Sequence, residues 1–163
     1  MTAVRIPAAL VRRPVIKKSW RSRSDPQCHR VYRMERDFIG WSVTTTHSRA
    51  YLTSVARHVC ASWGVAECPI RISAKPKDRV YGRCYEDYIW LNASGDKPGN
   101  NLGTLIHELA HWVTDRKYGD ELPHHGKEFA YVYGRLLDKY KLLPFACFKL
   151  LCRKYKVGVL SNT

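Results

Sequence analysis

Four of the seven histidines in the chain lie within one stretch, HELAHWVTDRKYGDELPHHGKEF, at positions 107–129. His107 and His111 are four residues apart, so in a helix their imidazoles lie on one face and can bind the same metal ion. Glu108, one position further round, can reach a water molecule in the open coordination position of that ion. The HExxH spacing therefore predicts a catalytic metal site with Glu108 as its acid–base group.

The third protein ligand must come from beyond this helix, because a catalytic zinc ion takes three protein ligands and leaves a fourth position to water. The sequence offers Glu128, as in the thermolysin-like arrangement, or one of two adjacent histidines, His124 and His125. Thr114 and Lys117 stand where a metzincin has glycine and histidine, so that class is excluded. The spacing alone leaves the choice among the three candidate ligands open.

The helix that carries the motif is predicted within the segment NLGTLIHELAHWVTDRKYG, at positions 101–119. One of its faces is apolar, and Gly119 supplies a stop. The residues of that face are Leu102, Leu105, Ile106, Leu109, Ala110 and Val113. A second helix is predicted from 127 to 140, an amphipathic helix from 145 to 155, and an earlier helix from its cap, Ser48, to Gly64.

Three short strands are predicted between the first helix and the motif helix, over residues 69–75, 79–86 and 88–93. Strands that follow one another so closely favour hairpin connections. We therefore expect a small antiparallel sheet, packed on the motif helix and its flanking helices, and an α+β fold. An edge strand of this sheet could pair with an extended peptide, but the sequence leaves open which strand this is.

HELAH followed by HHGKEF resembles the SprT-like metallopeptidases, a family whose third zinc ligand is the histidine of an HGxxF motif. Here His125, Gly126 and Phe129 match that motif. The segment GRCYEDYIWLN, at positions 82–92, also resembles the strand pair that leads into the active-site helix of the family. The resemblance covers residues 70–140 and does not extend to the zinc ribbon of the bacterial members.

The resemblance implies a zincin-like metallopeptidase domain in which His107, His111 and His125 bind Zn²⁺. It implies hydrolysis of peptide bonds in protein substrates, with Glu108 taking a proton from the attacking water and passing it to the leaving amine. Asp115 is expected either to accept a hydrogen bond from the ring of His111 or to pair with a nearby lysine. We therefore expect a zinc-dependent endopeptidase.

The charge of the chain predicts an anionic partner. Against 14 Asp and Glu there are 28 Lys and Arg, which gives a net charge of +14 and attracts polyanions. Residues 1–33 hold nine of the basic residues and one acidic residue. We expect them to form a basic N-terminal arm that binds DNA or another acidic surface, followed by the metallopeptidase domain at 34–163. Substrates associated with nucleic acid are expected for the same reason.

The remaining features concern location and an alternative class of protein. The sequence has no apolar run of about eighteen residues that could span a bilayer. Its six cysteines form no CxxC pair and no secretory signal precedes them, which indicates reduced thiols. We expect an intracellular location, in cytoplasm, nucleoid or nucleus, or a place within a virion.

The alternative to an endopeptidase is a zinc-bearing structural or assembly component of a large nucleoprotein particle, but an intact Glu108 favours the enzyme.

Overall fold

The computed structural model describes residues 25–39, 45–75, 80–94 and 98–161. In this part of the chain, five α-helices and three β-strands form an α+β fold. In chain order they are α1 (Cys28–Met34), α2 (Arg49–Trp63), β1 (Ile70–Ser73), β2 (Gly82–Cys84), β3 (Ile89–Asn92), α3 (Leu102–Tyr118), α4 (Lys127–Lys139) and α5 (Phe145–Tyr155). A π-helical turn, Glu35–Ile39, follows α1 directly. None of the described helices combines the length and the apolar character needed to cross a membrane.

The sheet is mixed, with the strand order β1-β3-β2. β3 pairs with β1 in parallel and with β2 antiparallel, so the prediction of an antiparallel sheet is wrong for one of these two pairs. Chain direction does reverse from each strand to the next, but β3 lies between the other two, so two strands of the same direction become neighbours. All four residues of β3 are buried, and a strand that is buried on both faces belongs at the centre of a sheet.

α3 lies at the centre of the fold, in contact with α2, α4, β2 and β3. It begins at Asn101, whose side chain accepts a hydrogen bond from the N–H of Thr104 at 2.9 Å. Residues 102–110 are all buried, so α3 buries more than the predicted apolar stripe because other elements cover it on several sides. The polar residues His107 and Glu108 are carried into the interior, where they are 4% and 7% exposed.

The other predicted helices are also present. Ser48 caps α2 by accepting a hydrogen bond from the N–H of Tyr51 at 3.2 Å, and Gly64 ends that helix with a φ of 65°. α4 and α5 pack against each other at a glycine, since a Cβ on Gly134 would lie 2.4 Å from Cδ1 of Phe148. These two helices are therefore closer than a side chain at this position would allow.

The segment before α2 differs from the extended basic arm predicted for it. Residues 1–24 of that arm lie outside the described residues. Residues 25–33, which the sequence analysis placed in the arm, belong to the fold, because α1 packs against α5 and buries Val31 and Met34. The chain continues as a helical turn as far as Ile39, in a region whose secondary structure the sequence left open.

The six cysteines are all free thiols, as predicted. Cys60, Cys68, Cys84 and Cys152 are buried, and burial raises the pKa of Cys68 and of Cys152 to about 12. These thiols therefore stay protonated at neutral pH and serve as small apolar residues of the core.

Candidate metal centre

Three imidazoles converge between α3 and the start of α4. His107 and His111 lie one turn apart on α3, and their Nε2 atoms are 3.2 Å apart. The ring centroid of His125 lies 4.8 Å from that of His111 and 5.5 Å from that of His107. One nitrogen of each ring lies within 4.8 Å of the other two. The three histidines are therefore close enough to bind one metal ion.

A tight turn at the start of α4 holds His125. Gly126 is the N-cap of α4, and its N–H donates a hydrogen bond to the carbonyl of Pro123 at 2.9 Å. A Cβ on Gly126 would lie 3.0 Å from that carbonyl oxygen, so the turn leaves little room for a side chain. The glycine that follows His125 in the sequence therefore has a local structural role, which is to let this turn close.

The three imidazoles lie between two aromatic rings. Phe129 is fully buried, and its centroid lies 4.4 Å from the ring of His111, 4.9 Å from that of His125 and 5.2 Å from that of His107. Tyr32 of α1 stacks on His107 at 5.8 Å and contacts His125 edge-on at 5.0 Å, with 48% of its surface exposed. Phe129 thus closes the inner side of the cluster, and Tyr32 lies towards solvent.

In two of these histidines, the Nδ1 atom forms a hydrogen bond with a carboxylate. Nδ1 of His107 lies 2.6 Å from Oε1 of Glu35, and Nδ1 of His125 lies 2.7 Å from Oδ2 of Asp25. Since a carboxylate accepts hydrogen bonds, the neutral form of each ring carries its proton on Nδ1 and its lone pair on Nε2. Nε2 of His125 is buried and has no hydrogen-bond partner among the described residues. A metal ion would supply the partner that this buried atom lacks.

The spacing of the His107 and His111 nitrogens fits tetrahedral coordination. Two nitrogens bound at about 2.0–2.1 Å to a tetrahedral ion lie about 3.3 Å apart. The Nε2 atoms of His107 and His111, 3.2 Å apart, already have this separation. Imidazole is a ligand for zinc, copper, iron and nickel alike, so these residues define a site for a transition metal rather than for one particular ion.

The surroundings keep two of the three imidazoles neutral. Burial, together with the neighbouring His107, lowers the pKa of His111 well below its usual range, although a hydrogen bond with the backbone of His124 opposes the shift. Burial also lowers the pKa of His125. Burial acts in the same direction on His107, but the Glu35 carboxylate outweighs it and raises the pKa. Neutral imidazole is the metal-binding form, so His111 and His125 are ready to act as ligands at neutral pH.

Glu108 lies beside the three histidines and is not part of the ligand group. Its side chain lies against β2, where a Cβ on Gly82 would be 3.1 Å from Oε1. Burial raises the pKa of Glu108 to about 7, although His107 and a hydrogen bond with the backbone of Cys84 act in the opposite direction. A carboxyl group with such a pKa can both take up and release a proton at neutral pH, as a general base must.

The centre opens into a cleft made of two adjoining cavities, of about 480 and 610 Å³. Both cavities are lined by Tyr32, Val80, Gly82, His107 and Glu108. The smaller one is also lined by His111, His124 and His125. The cleft therefore runs along β2 and passes both the histidines and the buried carboxylate.

The structure brings His125 to the HExxH pair, and it brings neither of the two alternative ligands there. The ring of His124 lies 6.1 Å from that of His111, and its backbone, rather than its ring, hydrogen-bonds to His111. The carboxylate of Glu128 lies near the N-terminus of its own helix, with Oε2 3.2 Å from the place of a Cβ on Gly126. Among the described residues, His125 alone completes a group of three with the motif histidines.

The two carboxylates that contact these histidines were not predicted from the sequence, and Asp115 was the predicted hydrogen-bond partner of His111 instead. Asp25 had one signal, as the single acidic residue among the first 33. Glu35 had none. Their hydrogen bonds join residues 72 and 100 positions apart, and contacts over such distances leave no periodic pattern in a sequence.

No protein-family model matches the chain, and neither the curated proteins nor the solved structures give a match. The resemblance to the SprT-like metallopeptidases therefore stays a prediction from the motifs. The residues of the site and their chemistry are the basis on which a function can be proposed.

Proposed function

We propose that this protein is a zinc-dependent endopeptidase. The observation that carries the proposal is a buried carboxylate, Glu108, beside three convergent imidazoles in the wall of an open cleft. Catalytic zinc sites have three protein ligands and an open fourth position, whereas structural sites are closed by a fourth ligand. In the described ranges, no fourth Cys, Asp, Glu or His joins the three histidines.

In this proposal, His107, His111 and His125 would hold the zinc ion, with His107 and His125 binding through Nε2 because their Nδ1 atoms have carboxylate partners. When bound, zinc supplies Lewis acidity, which polarises a carbonyl group and lowers the pKa of water from about 15.7 towards about 7. Phe129 contributes by packing against all three rings and keeping water from their inner side.

Glu108 provides the acid–base chemistry. Its carboxylate accepts a proton from the attacking water and passes that proton to the leaving amine as the peptide bond breaks. The backbone of Cys84 and the nearby Gly82 keep the side chain at the wall of the cleft. β2 therefore has a part in positioning the group that moves the proton.

An extended polypeptide is the substrate that best fits this cleft. β2 lies at one end of the strand order, and the carbonyl of Tyr81 and the N–H of Tyr85 hydrogen-bond towards β3. Backbone groups alternate between the two edges of a strand, so those of Gly82 and Cys84 face the other edge, along which the cleft runs. A peptide that paired with this edge would pass Glu108 and the histidines.

The roles of Gly126 and Phe129 support membership in the SprT-like metallopeptidases. Gly126 lets the turn after His125 close, and Phe129 packs against the three imidazoles. Each fixed position of the HGxxF motif thus has a physical reason at this site. The net charge of +14 supports protein substrates that are associated with nucleic acid.

Replacing Glu108 by glutamine tests the proposal. Glu108→Gln keeps the size of the side chain and all three histidines, so we expect the protein to keep its zinc. Cleavage of a loosely folded substrate such as casein should fall by at least about 10²- to 10⁴-fold, the usual contribution of an acid–base group. Mass spectrometry of the products and elemental analysis of the metal would be carried out with and without DNA.

Glu121→Gln is a matched control, because Glu121 is exposed between α3 and α4 and lines neither cavity. It should cleave the substrate as the wild type does. Equal cleavage by Glu108→Gln and the wild type would refute the assigned role of Glu108. A zinc-loaded wild type without activity under any of these conditions would favour the alternative, a zinc-bearing docking domain.

A further inference from the structure

The N-terminal segment, residues 25–39, supplies a carboxylate to two of the proposed zinc ligands. Glu35 contacts Nδ1 of His107 at 2.6 Å, and Asp25 contacts Nδ1 of His125 at 2.7 Å. The side chain of Glu35 is 1% exposed and that of Asp25 is 16% exposed. Both hydrogen bonds are therefore shielded from solvent. Hydrogen bonds to a charged acceptor are stronger in such shielded surroundings than in water.

Contacts away from the ring nitrogens anchor this segment to the rest of the fold. α1 buries Val31 and Met34 and packs against α5. The side-chain amide of Gln27 donates a hydrogen bond to the backbone carbonyl of His125 at 2.8 Å. The segment is therefore held in place by more than the two carboxylates, and a substitution at either of them need not release it.

A carboxylate on Nδ1 changes how an imidazole binds a metal. It fixes the tautomer and the orientation of the ring, and it makes the opposite nitrogen a stronger donor. A buried carboxylate such as that of Glu35, and a half-buried one such as that of Asp25, are also costly unless a positive charge compensates them. A divalent cation bound by the three histidines would compensate Asp25 and Glu35 together, so the charge of this segment suits an occupied site.

We infer that Asp25 and Glu35 are positioning residues of the metal centre, and that residues 25–39 are part of it although they lie outside the HExxH and HGxxF motifs. The inference rests on the zinc site of the proposed function. Loss of either carboxylate should weaken zinc binding about 10- to 100-fold, the usual effect of removing such a partner, while every ligand stays in place.

The test compares Asp25→Asn, Glu35→Gln and Asp37→Asn with the wild type, each as the full chain. Asp37 lies in the same segment, but its carboxylate pairs with Arg33 and Arg36 rather than with a histidine. The Kd for zinc would be measured by competition with a chromophoric chelator. The urea midpoint of the metal-free proteins and the absorption spectrum of the cobalt(II)-substituted proteins would be recorded in parallel.

We expect weaker zinc binding and a changed cobalt spectrum in Asp25→Asn and Glu35→Gln, with the metal-free urea midpoint preserved and Asp37→Asn like the wild type. Wild-type affinity in both carboxylate variants would overturn the inference and leave the zinc site intact. A lower metal-free midpoint that accounts for the weaker binding would also overturn it, because the role would then be only structural. A wild type that binds no zinc would instead refute the proposed site itself.

Discussion

In two histidines of the candidate metal centre, His107 and His125, one ring nitrogen has a carboxylate partner and the other is left for a metal ion. Glu35 and Asp25 fix this choice for His107 and His125, because their carboxylates hold the proton on Nδ1. The Nε2 atoms of His107 and His111 lie 3.2 Å apart, a separation suited to a shared ion. The ability to bind metal therefore depends on residues that are not themselves ligands.

At His125, the account predicts a clear difference from the adjacent histidine. His125→Ala removes a ligand, so zinc binding should weaken by more than the roughly 10- to 100-fold expected for the loss of an outer partner. His124→Ala and Glu128→Ala should keep zinc, because neither side chain belongs to the group of three. Metal analysis after dialysis against a chelator measures all three variants. Zinc retained in His125→Ala but lost in Glu128→Ala would move the third ligand to Glu128.

The candidate site could be predicted in part, and the limit is set by the range of the contacts. His107, Glu108 and His111 follow from local spacing, because a helix alone fixes their relative positions. To place His125, one would need the direction of a turn between two helices, and the local sequence pattern does not determine that direction. To place the partner carboxylates, one would need to know where the segment that carries them packs. Glu35 is 72 residues from His107 in the sequence, and Asp25 is 100 residues from His125.

For the helices and strands, too, the features that depend on local sequence could be predicted, whereas those that depend on long-range contacts could not. α3 was predictable because its apolar stripe and its following glycine are local signals, and it lies at Leu102–Tyr118. The presence of three short strands was predictable for the same reason. Their order was not, because β3 reaches the centre of the sheet through contacts with both other strands and with α3.

Gly134 sets the distance between α4 and α5, and alanine there should destabilise the protein. The added Cβ would lie 2.4 Å from Cδ1 of Phe148 and 2.8 Å from Cε2 of Phe145. Both rings are buried, so neither can move aside freely. Alanine gains up to about 1 kcal/mol of helix propensity, but overpacking costs about 1–3 kcal/mol. The free energy of unfolding, measured in urea, should therefore fall by up to about 2 kcal/mol when the full propensity gain is counted.

The variant Phe148→Leu tests whether the ring of Phe148 is the cause of the lost stability in Gly134→Ala. The smaller side chain leaves room for the new methyl group, so Gly134→Ala should cost less stability in Phe148→Leu than in the wild type. An equal cost in both backgrounds would show that the two residues are not coupled. A Gly134→Ala protein more stable than the wild type would contradict the described packing of α4 on α5.

Across the whole molecule, the positive charge is distributed unevenly. Residues 1–33 hold nine of the 28 basic residues and one of the 14 acidic ones, and so carry more than half of the net charge of +14. Most of these basic residues precede Asp25 directly in the chain, and Asp25 contacts His125 at the cleft. A polyanion bound by them would be kept near the site by this tether. Binding of nucleic acid stays a prediction from the charge.

The most direct test is to measure peptide hydrolysis by the full chain as a function of its zinc content. Its result decides between an enzyme and a metal-bearing docking domain. The metal would be removed with a chelator and zinc returned stepwise, while the initial rate of casein cleavage is measured with and without DNA. We expect no cleavage by the metal-free protein, a rate that rises up to about one zinc per chain and then stays constant, and no cleavage by Glu108→Gln at any ratio. A rate independent of zinc, or a zinc-loaded wild type that never cleaves, would contradict the proposed peptidase.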